Sequence, residues 1–364
     1  MNGRSLSDWL DKSEKKSSEL SRLGLASAWR SFVIRNRGAL SVSFTEQRFR
    51  ELGANFEGEL AVLFGYPLEH SLSPALHNFF NLGLSSRFGL YLPTQVESEG
   101  QFLQILRNWR GLPLVGANVT SPFKECAFRY LLEHGHLSKE ARIIGAVNTI
   151  YSSKGRICGD NTDWCGWLAS WHHCIREKLA GRNVVIFGAG GAARAVVYAL
   201  IRSKVKSITV VNSPQRGQKL AADFNVWQRR ENLGQHFVPV HSCSAWHEAC
   251  QPGYVYIQAT VLGSLAFPYS TPYNWPSSAT SKKANIGICK KYVDIEVSAV
   301  PLACDLIYTP AQTEFIRLAK QNESKTMNGL GMLICQAYRS RAEFFGLNPS
   351  ESEEKRLLND FSSF

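Results

Sequence analysis

Lys124 closes the stretch Asn118-Val119-Thr120-Ser121-Pro122-Phe123-Lys124, Asp163 closes Asn161-Thr162-Asp163, and a glycine turn, Gly188-Ala189-Gly190-Gly191-Ala192-Ala193, follows downstream. A lysine, a carboxylate and a dinucleotide turn in one chain point to hydride transfer. That chemistry needs a cradle for the cofactor, a group that exchanges the hydroxyl proton, and polar groups that hold the substrate in register. Lys124, just past a strand pattern, can bring an ammonium to a cleft and donate a proton to the oxygen that gains charge as hydride arrives. Asp163 can orient it. Taken alone, the same two residues would also make an ordinary surface ion pair.

Gly188, Gly190 and Ala193 fit the pattern G-x-G-x-x-G/A in the required context. The apolar run 184–187 predicts a buried strand before the turn, 192–201 a helix after it, and 207–211 the next strand. Missing side chains at the turn let backbone approach a pyrophosphate whose charge sits against a helix N-terminus. A tight turn with no nucleotide is the alternative. The second strand runs into Asn212-Ser213-Pro214-Gln215-Arg216, with an arginine and no acid. A carboxylate there would hold the ribose 2'-hydroxyl of NAD, whereas a guanidinium favours the 2'-phosphate of NADP. An Arg216 that points into solvent would carry no such preference.

The elements that position these groups alternate between strand and helix. Strands are expected at 60–64, at Tyr91 and Leu92, and at 114–119, with helices at 75–84 behind Pro74 and at 102–109 between them. That alternation argues for a parallel sheet. A second α/β region begins near Leu168. Beyond it, 227–301 offers one strand, 254–258, and a Pro/Ser-rich loop at 267–281. A last strand is expected at 302–308, and Leu330, Leu333, Ile334, Ala337 and Phe344 give the spacing of a closing helix. Leu20, Leu23, Ala26, Ala28 and Trp29 suggest a helix in the first 55 residues, where no chemistry is evident.

The chain has 364 residues, enough for roughly two domains. No segment approaches the ~18 uninterrupted apolar residues of a membrane span. Residues 1–38 carry both signs of charge and no early apolar core, which reads as neither secretory signal nor transit peptide. The net charge of +11 is spread without an aromatic-interleaved basic stripe, so an acidic small substrate and a phosphorylated cofactor explain it better than nucleic acid does. Nine cysteines without a Cys-x-x-Cys pair fit reduced thiols in a cytoplasm. His172-His173-Cys174 is no metal site, because adjacent residues point apart and no second cluster completes a tetrahedron.

Further motifs stand in order along the chain: Gly65-Tyr66-Pro67-Leu68-Glu69-His70-Ser71-Leu72-Ser73-Pro74 with His77-Asn78, Gly145-Ala146-Val147-Asn148-Thr149, Tyr308-Thr309-Pro310 with Thr313, and Asn328-Gly329-Leu330-Gly331-Met332-Leu333 with Gln336-Ala337. Together with the lysine, aspartate and glycine motifs, they resemble the shikimate dehydrogenase family over about residues 60–346. The resemblance implies an α/β architecture: an N-terminal α/β substrate domain (56–165), a Rossmann NADP-binding domain (166–327), and C-terminal helices returning to the first (328–364). Residues 1–55 form an extension outside it. It implies reversible, NADP-linked reduction of 3-dehydroshikimate to shikimate, in aromatic amino-acid biosynthesis, by a monomer or homodimer.

Carried over position by position, Ser71 and Ser73 bind the substrate carboxylate, while Thr120, Asn148 and Gln336 bond the ring hydroxyls. Tyr308 lines the substrate site. Lys124 and Asp163 form the catalytic pair. The cofactor meets Gly188, Ala189, Gly190, Gly191 and Ala192, with Asn212 and Arg216 on the adenine side and Gly329 and Met332 beside the nicotinamide. Two hydroxyls at i and i+2 can donate to one carboxylate, although both serines could instead cap the helix behind Pro74. Two departures concern the cofactor edge. Asn212-Ser213-Pro214 stands where the family commonly has Asn-Arg-Thr, and Gln258-Ala259-Thr260 where it has Asn-Ala-Thr. A quinate dehydrogenase linked to NAD, and a non-catalytic sensor of the same acids, remain as alternatives.

Overall fold

Two short apolar runs, one around Val62 and one around Val185, nucleate two separate sheets in the computed structural model, which describes residues 59–69, 71–81, 89–249, 254–267, 270–271 and 302–361. The suggested helix near Leu20, the last residues of the helix expected at 75–84, and most of the loop 267–281 lie outside the described residues.

The first sheet opens with β1 (Glu59–Gly65), α1 (Ser73–Asn81), β2 (Gly89–Gln95), α2 (Glu99–Arg107) and β3 (Leu114–Val119). These three strands are parallel, as the alternation predicts. Next come α3 (Lys124–His134), β4 (His136–Leu137), α4 (Lys139–Ile144), β5 (Thr149–Ser153) and β6 (Arg156–Asp160), giving the order β2-β1-β3-β5-β6-β4. Here the expectation of a parallel sheet is corrected, because β5 runs antiparallel to both β3 and β6. Lys154 and Gly155, at φ 49° and 70°, form the two-residue turn with positive φ at both central positions that such a hairpin requires.

The second sheet is parallel throughout. Its strands are β7 (Asn183–Phe187), β8 (Ser207–Val211), β9 (Val240–Cys243), β10 (Val255–Gln258), β11 (Leu302–Asp305) and β12 (Lys325–Met327). In space they run β12-β11-β10-β7-β8-β9, the doubly wound dinucleotide-binding order, with its switch point between β7 and β10. Around it lie α5 (Asp163–Cys174), α6 (Gly191–Arg202), α7 (Pro214–Arg230), α8 (Trp246–Ala249) and α9 (Glu314–Gln321). The last expected strand is shorter than 302–308. Asp305 ends it by accepting the Ile307 amide at 2.9 Å and the Thr313 hydroxyl at 2.6 Å, so residues 306–308 turn out toward the other half.

Two helices bridge the halves. Trp167 and Trp171 of α5 are buried in the core of the second sheet beside Ile144 and Ala146 from the first. From the closing helix α10 (Leu330–Phe345), Leu333, Ile334, Ala337 and Tyr338 pack with Leu76 and Phe80 of α1, and Phe344 and Phe345 pack on Ala61, Leu63 and Tyr91. Fully burying a Leu, Ile or Phe side chain contributes roughly 1.5–3 kcal/mol. The final helix, α11 (Glu351–Phe361), is tied to α10 by a bidentate pair between Arg339 and Glu354, at 2.9 and 2.8 Å.

Candidate active site

Lys124 and Asp163 are each the first residue of a helix, α3 and α5, and each helix follows close behind a strand of the first sheet, β3 and β6. Both strands adjoin β5, so the two helix starts meet. Lys124 Nζ donates to Asp163 Oδ2 at 2.7 Å, with the side chains only 13% and 6% exposed. A pair this deeply covered differs from a surface bridge. Removing one partner leaves a buried charge uncompensated, at a cost of about 3–5 kcal/mol.

Both carboxylate oxygens are held, and so is the backbone that carries them. Asp163 Oδ1 accepts the Asn148 amide at 2.9 Å, and its own main-chain N–H donates to Asn161 Oδ1 at 3.1 Å. At the start of a helix a carboxylate is also favoured by the helix dipole. Asn148 is the hub, since its Oδ1 accepts from Thr162 N (2.7 Å) and Thr149 Oγ1 (2.9 Å), and its Nδ2 lies 3.3 Å from Gln336 Oε1. Gln336 Nε2 donates back to Leu333 O at 3.0 Å, which fixes the carboxamide on α10. Behind this layer, Tyr91 donates to Asn118 Oδ1 at 2.9 Å while Asn118 Nδ2 holds the Asn148 carbonyl at 3.1 Å.

The other sequence-derived substrate residues form a second group. Ser71 Oγ accepts the Ser73 amide at 3.3 Å, so it does act as a cap, with its hydroxyl proton left over to donate. Ser73 is buried and Ser71 half-buried. Tyr308, from the turn after β11, brings its hydroxyl to the Ser71 side chain and the Leu72 backbone, and burial pushes that phenol up. Thr120 is half-buried at the end of β3, its amide bonded to Phe64 O at 2.8 Å.

A cofactor cradle is recognisable by what glycine leaves open. Gly188, at φ +119°, sits at the switch point where a Cβ would lie 2.7 Å from the Ala259 carbonyl oxygen. At Gly190 a Cβ would meet nothing within 4 Å, and the N-cap residue offers no side chain to the start of α6. That arrangement fits a pyrophosphate. Ala189 is buried and Ala192 half-buried in the same turn. Gln258 explains one departure from the family motif: its longer carboxamide donates to Leu262 O at 2.8 Å and accepts from Thr260, which organises the loop beyond β10.

Just past β8, the main-chain N–H of Asn212 donates to Cys243 O at 3.2 Å, and Pro214 opens α7. Arg216 is exposed and lies 3.5 Å from Glu125, the residue after Lys124, so it leans toward the substrate half. Gly329 admits no side chain, since a Cβ would fall 2.0 Å from the Leu306 oxygen. Met332 is buried with the second core, in the cluster that holds Trp167.

The sequence model of the shikimate dehydrogenase substrate-binding domain matches residues 63–150. A shikimate dehydrogenase (NADP(+)) of Carboxydothermus hydrogenoformans is 34% identical over 308 residues, which span 84% of this chain and 98% of the relative. This chain belongs to the shikimate dehydrogenase family. Among solved structures, a shikimate dehydrogenase crystallised with NADP+ superposes with a TM-score of 0.63 at 28% identity, covering 84% of this chain and 96% of that one. A quinate dehydrogenase of Corynebacterium glutamicum in complex with NAD, at 24% identity and a TM-score of 0.63 over 84% and 99% of the two chains, shares the fold.

Within this family member, residues quoted only as parts of motifs turn out to build the site. Asn118, Asn161 and Thr162 bond Asn148 or Asp163, or the backbone beside them. Carboxamides inside short polar motifs were the available signal. Among the described residues, no group of three metal-ligating side chains comes together, the seven cysteines are free, and no helix is long and apolar enough to cross a membrane.

Proposed function

We propose that this chain catalyses the reversible, NADP-linked reduction of 3-dehydroshikimate to shikimate, a step of aromatic amino-acid biosynthesis. The observation that carries the reading is the covered Lys124–Asp163 pair, whose lysine stem lies against the glycine turn: a Cβ on Gly191 would stand 2.9 Å from Lys124 Cβ. Cofactor cradle and proton donor therefore share one crevice.

Each residue has a role that its surroundings support. Bound NADPH supplies the hydride. Lys124 donates a proton to the carbonyl oxygen of the substrate, and takes one from the hydroxyl in the reverse direction, while Asp163 and Asn148 hold it on line. Asn148, Gln336 and Thr120 bond the ring hydroxyls. Ser71, Ser73 and Tyr308 receive the carboxylate. Gly188, Ala189, Gly190, Gly191 and Ala192 cradle the pyrophosphate, Gly329 and Met332 back the nicotinamide, and Asn212 with Arg216 meets the adenosine 2'-phosphate. The assignment divides the chain into a substrate domain (56–165), a Rossmann domain (166–327) and returning helices (328–364). It describes a cytoplasmic monomer or homodimer acting on a small acid and not on nucleic acid.

The NAD-linked quinate reading draws on the altered Asn212-Ser213-Pro214 edge. Assaying purified protein with shikimate or quinate, each with NADP or NAD, separates the two. Reduced-cofactor absorbance is expected to rise fastest with shikimate and NADP. Faster turnover of quinate with NAD would transfer the assignment, and silence in all four mixtures would leave a sensor.

A further inference from the structure

Helix α6 presses on the substrate half at two points three residues apart, and hence on one helix face. Gly191 lies against the Lys124 stem and the Ala146 methyl, where a Cβ would stand 2.9 and 3.3 Å away. One turn later Arg194, 7% exposed, reaches the end of α4. Its Nε donates to the Ile144 carbonyl. Its Nη1 pairs with Asp223 of α7 at 3.0 Å, and the guanidinium lies 5.5 Å from the Phe224 ring centroid. Gly145 gives it passage: at φ +71° a Cβ there would lie 2.7 Å from Nη2.

The four residues after that carbonyl hold the catalytic groups. Ala146 O accepts from Asn161 Nδ2 at 2.9 Å, and Asn161 in turn takes the Asp163 amide. The Val147 amide holds the Lys124 carbonyl at 2.9 Å, and the Asn148 side chain holds Asp163 Oδ1 at 2.9 Å. Asn148 is only four residues past Ile144, at most ~14 Å of chain, so a guanidinium fixed at Ile144 anchors the start of the segment that makes all three contacts.

We propose that Arg194 is a positioning residue that couples the cofactor-bearing helix α6 to the Lys124–Asp163 pair through residues 144–148. The inference rests on the function proposed above for its kinetic consequence, but not for its geometry. A lysine cannot replace the arginine fully, because one ammonium cannot serve a carbonyl, a carboxylate and a ring face from a single planar fork.

The test uses the full chain as wild type, Arg194→Met, Arg194→Lys and the control Arg317→Met, which breaks a pair with Glu314 within α9, a helix packed on β11 and β12. Acylation of Lys124 by acetic anhydride, followed by peptide mass spectrometry, reports how tightly Asp163 holds the ammonium without any turnover. Arg194→Met is expected to raise Lys124 labelling several-fold over surface lysines and to lower kcat for shikimate, with the NADPH dissociation constant within twofold of wild type. Arg194→Lys should fall between, and Arg317→Met should leave labelling unchanged. If Arg194→Met does not fold, the Arg194→Lys comparison decides.

Wild-type labelling in the folded variants, equal labelling in Arg317→Met, or a loss of NADPH affinity as large as the loss of kcat would each overturn the proposal. A wild-type enzyme silent on shikimate would remove the functional reading while the labelling still judged Arg194.

Discussion

The two halves of the molecule fix their ligands by opposite means. In the substrate half, side-chain amides do the positioning: Asn118, Asn148 and Asn161 each bond backbone or carboxylate within 3.1 Å, and the Lys124–Asp163 pair is the end of that chain of contacts. In the nucleotide half, the cradle is made by absence, with Gly188 and Gly190 leaving backbone and space, and the edge beyond β8 carries a half-buried Asn212 and an exposed Arg216. A network of buried amides tolerates no drift, so its residues specify a reaction. An open cradle with a sparsely furnished edge specifies a cofactor class and leaves the choice within that class to a few side chains.

Substitutions can break or sharpen this contrast. The largest effect is expected in the amide-held half, where Asp163→Asn should lower kcat by roughly 100- to 10,000-fold, the usual contribution of proton-transfer machinery. Steady-state kinetics checks it, and a loss under threefold would show that the pair is structural. Next, Ser71→Ala and Ser73→Ala should each weaken shikimate binding by about tenfold or more, the value of a hydrogen bond to a charged group. Calorimetric titration decides, and unchanged affinity in both would leave the serines as caps. In the nucleotide half, Arg216→Ala should raise KM for NADP by about tenfold with little change for NAD. Equal changes would mean that the guanidinium serves Glu125 alone.

The smallest effect concerns pH and also sets one half against the other. Burial and the nearby Arg341 charge push His77 down to about 3, so it stays neutral in the native state while the unfolded chain takes up a proton below its ordinary 6.5. Its contribution to stability is full above that value and fades as pH falls toward 3. Burial raises Asp305, at the end of β11, to about 7. The native state then holds a proton that the unfolded chain releases above 3.8, so this contribution is full below that point and declines as pH climbs to about 7. Asp305→Asn should remove that decline, at most about 1.4 kcal/mol per pH unit. Thermal unfolding followed by circular dichroism from pH 5 to pH 8 would show it, and an unaltered slope would contradict it.

Sequence reasoning reached furthest where apolar runs and special residues coincide. β3 and β8 begin and end where the pattern predicts, and the glycine turn lies between β7 and α6 as its context requires. It failed at β5 and β6, whose short, half-polar strands carry no run long enough to stand out, although Lys154-Gly155 marked their turn. It also extended β11 too far, because Leu306 and Ile307 are apolar and the buried Asp305 that turns the chain reads as an ordinary loop acid. In the site, Lys124 and Asp163 were legible as motif ends. The roles of Arg194 and Asn118 depend on partners 50 and 30 residues away, which no local pattern reveals.

The central claim is that the Lys124 ammonium carries the proton in the crevice it shares with the glycine turn. It is tested most directly by measuring shikimate-dependent NADPH formation for Lys124→Met beside its equilibrium affinity for shikimate. The account predicts a fall in kcat of roughly 100- to 10,000-fold with shikimate still bound. Turnover within a few-fold of wild type would contradict it.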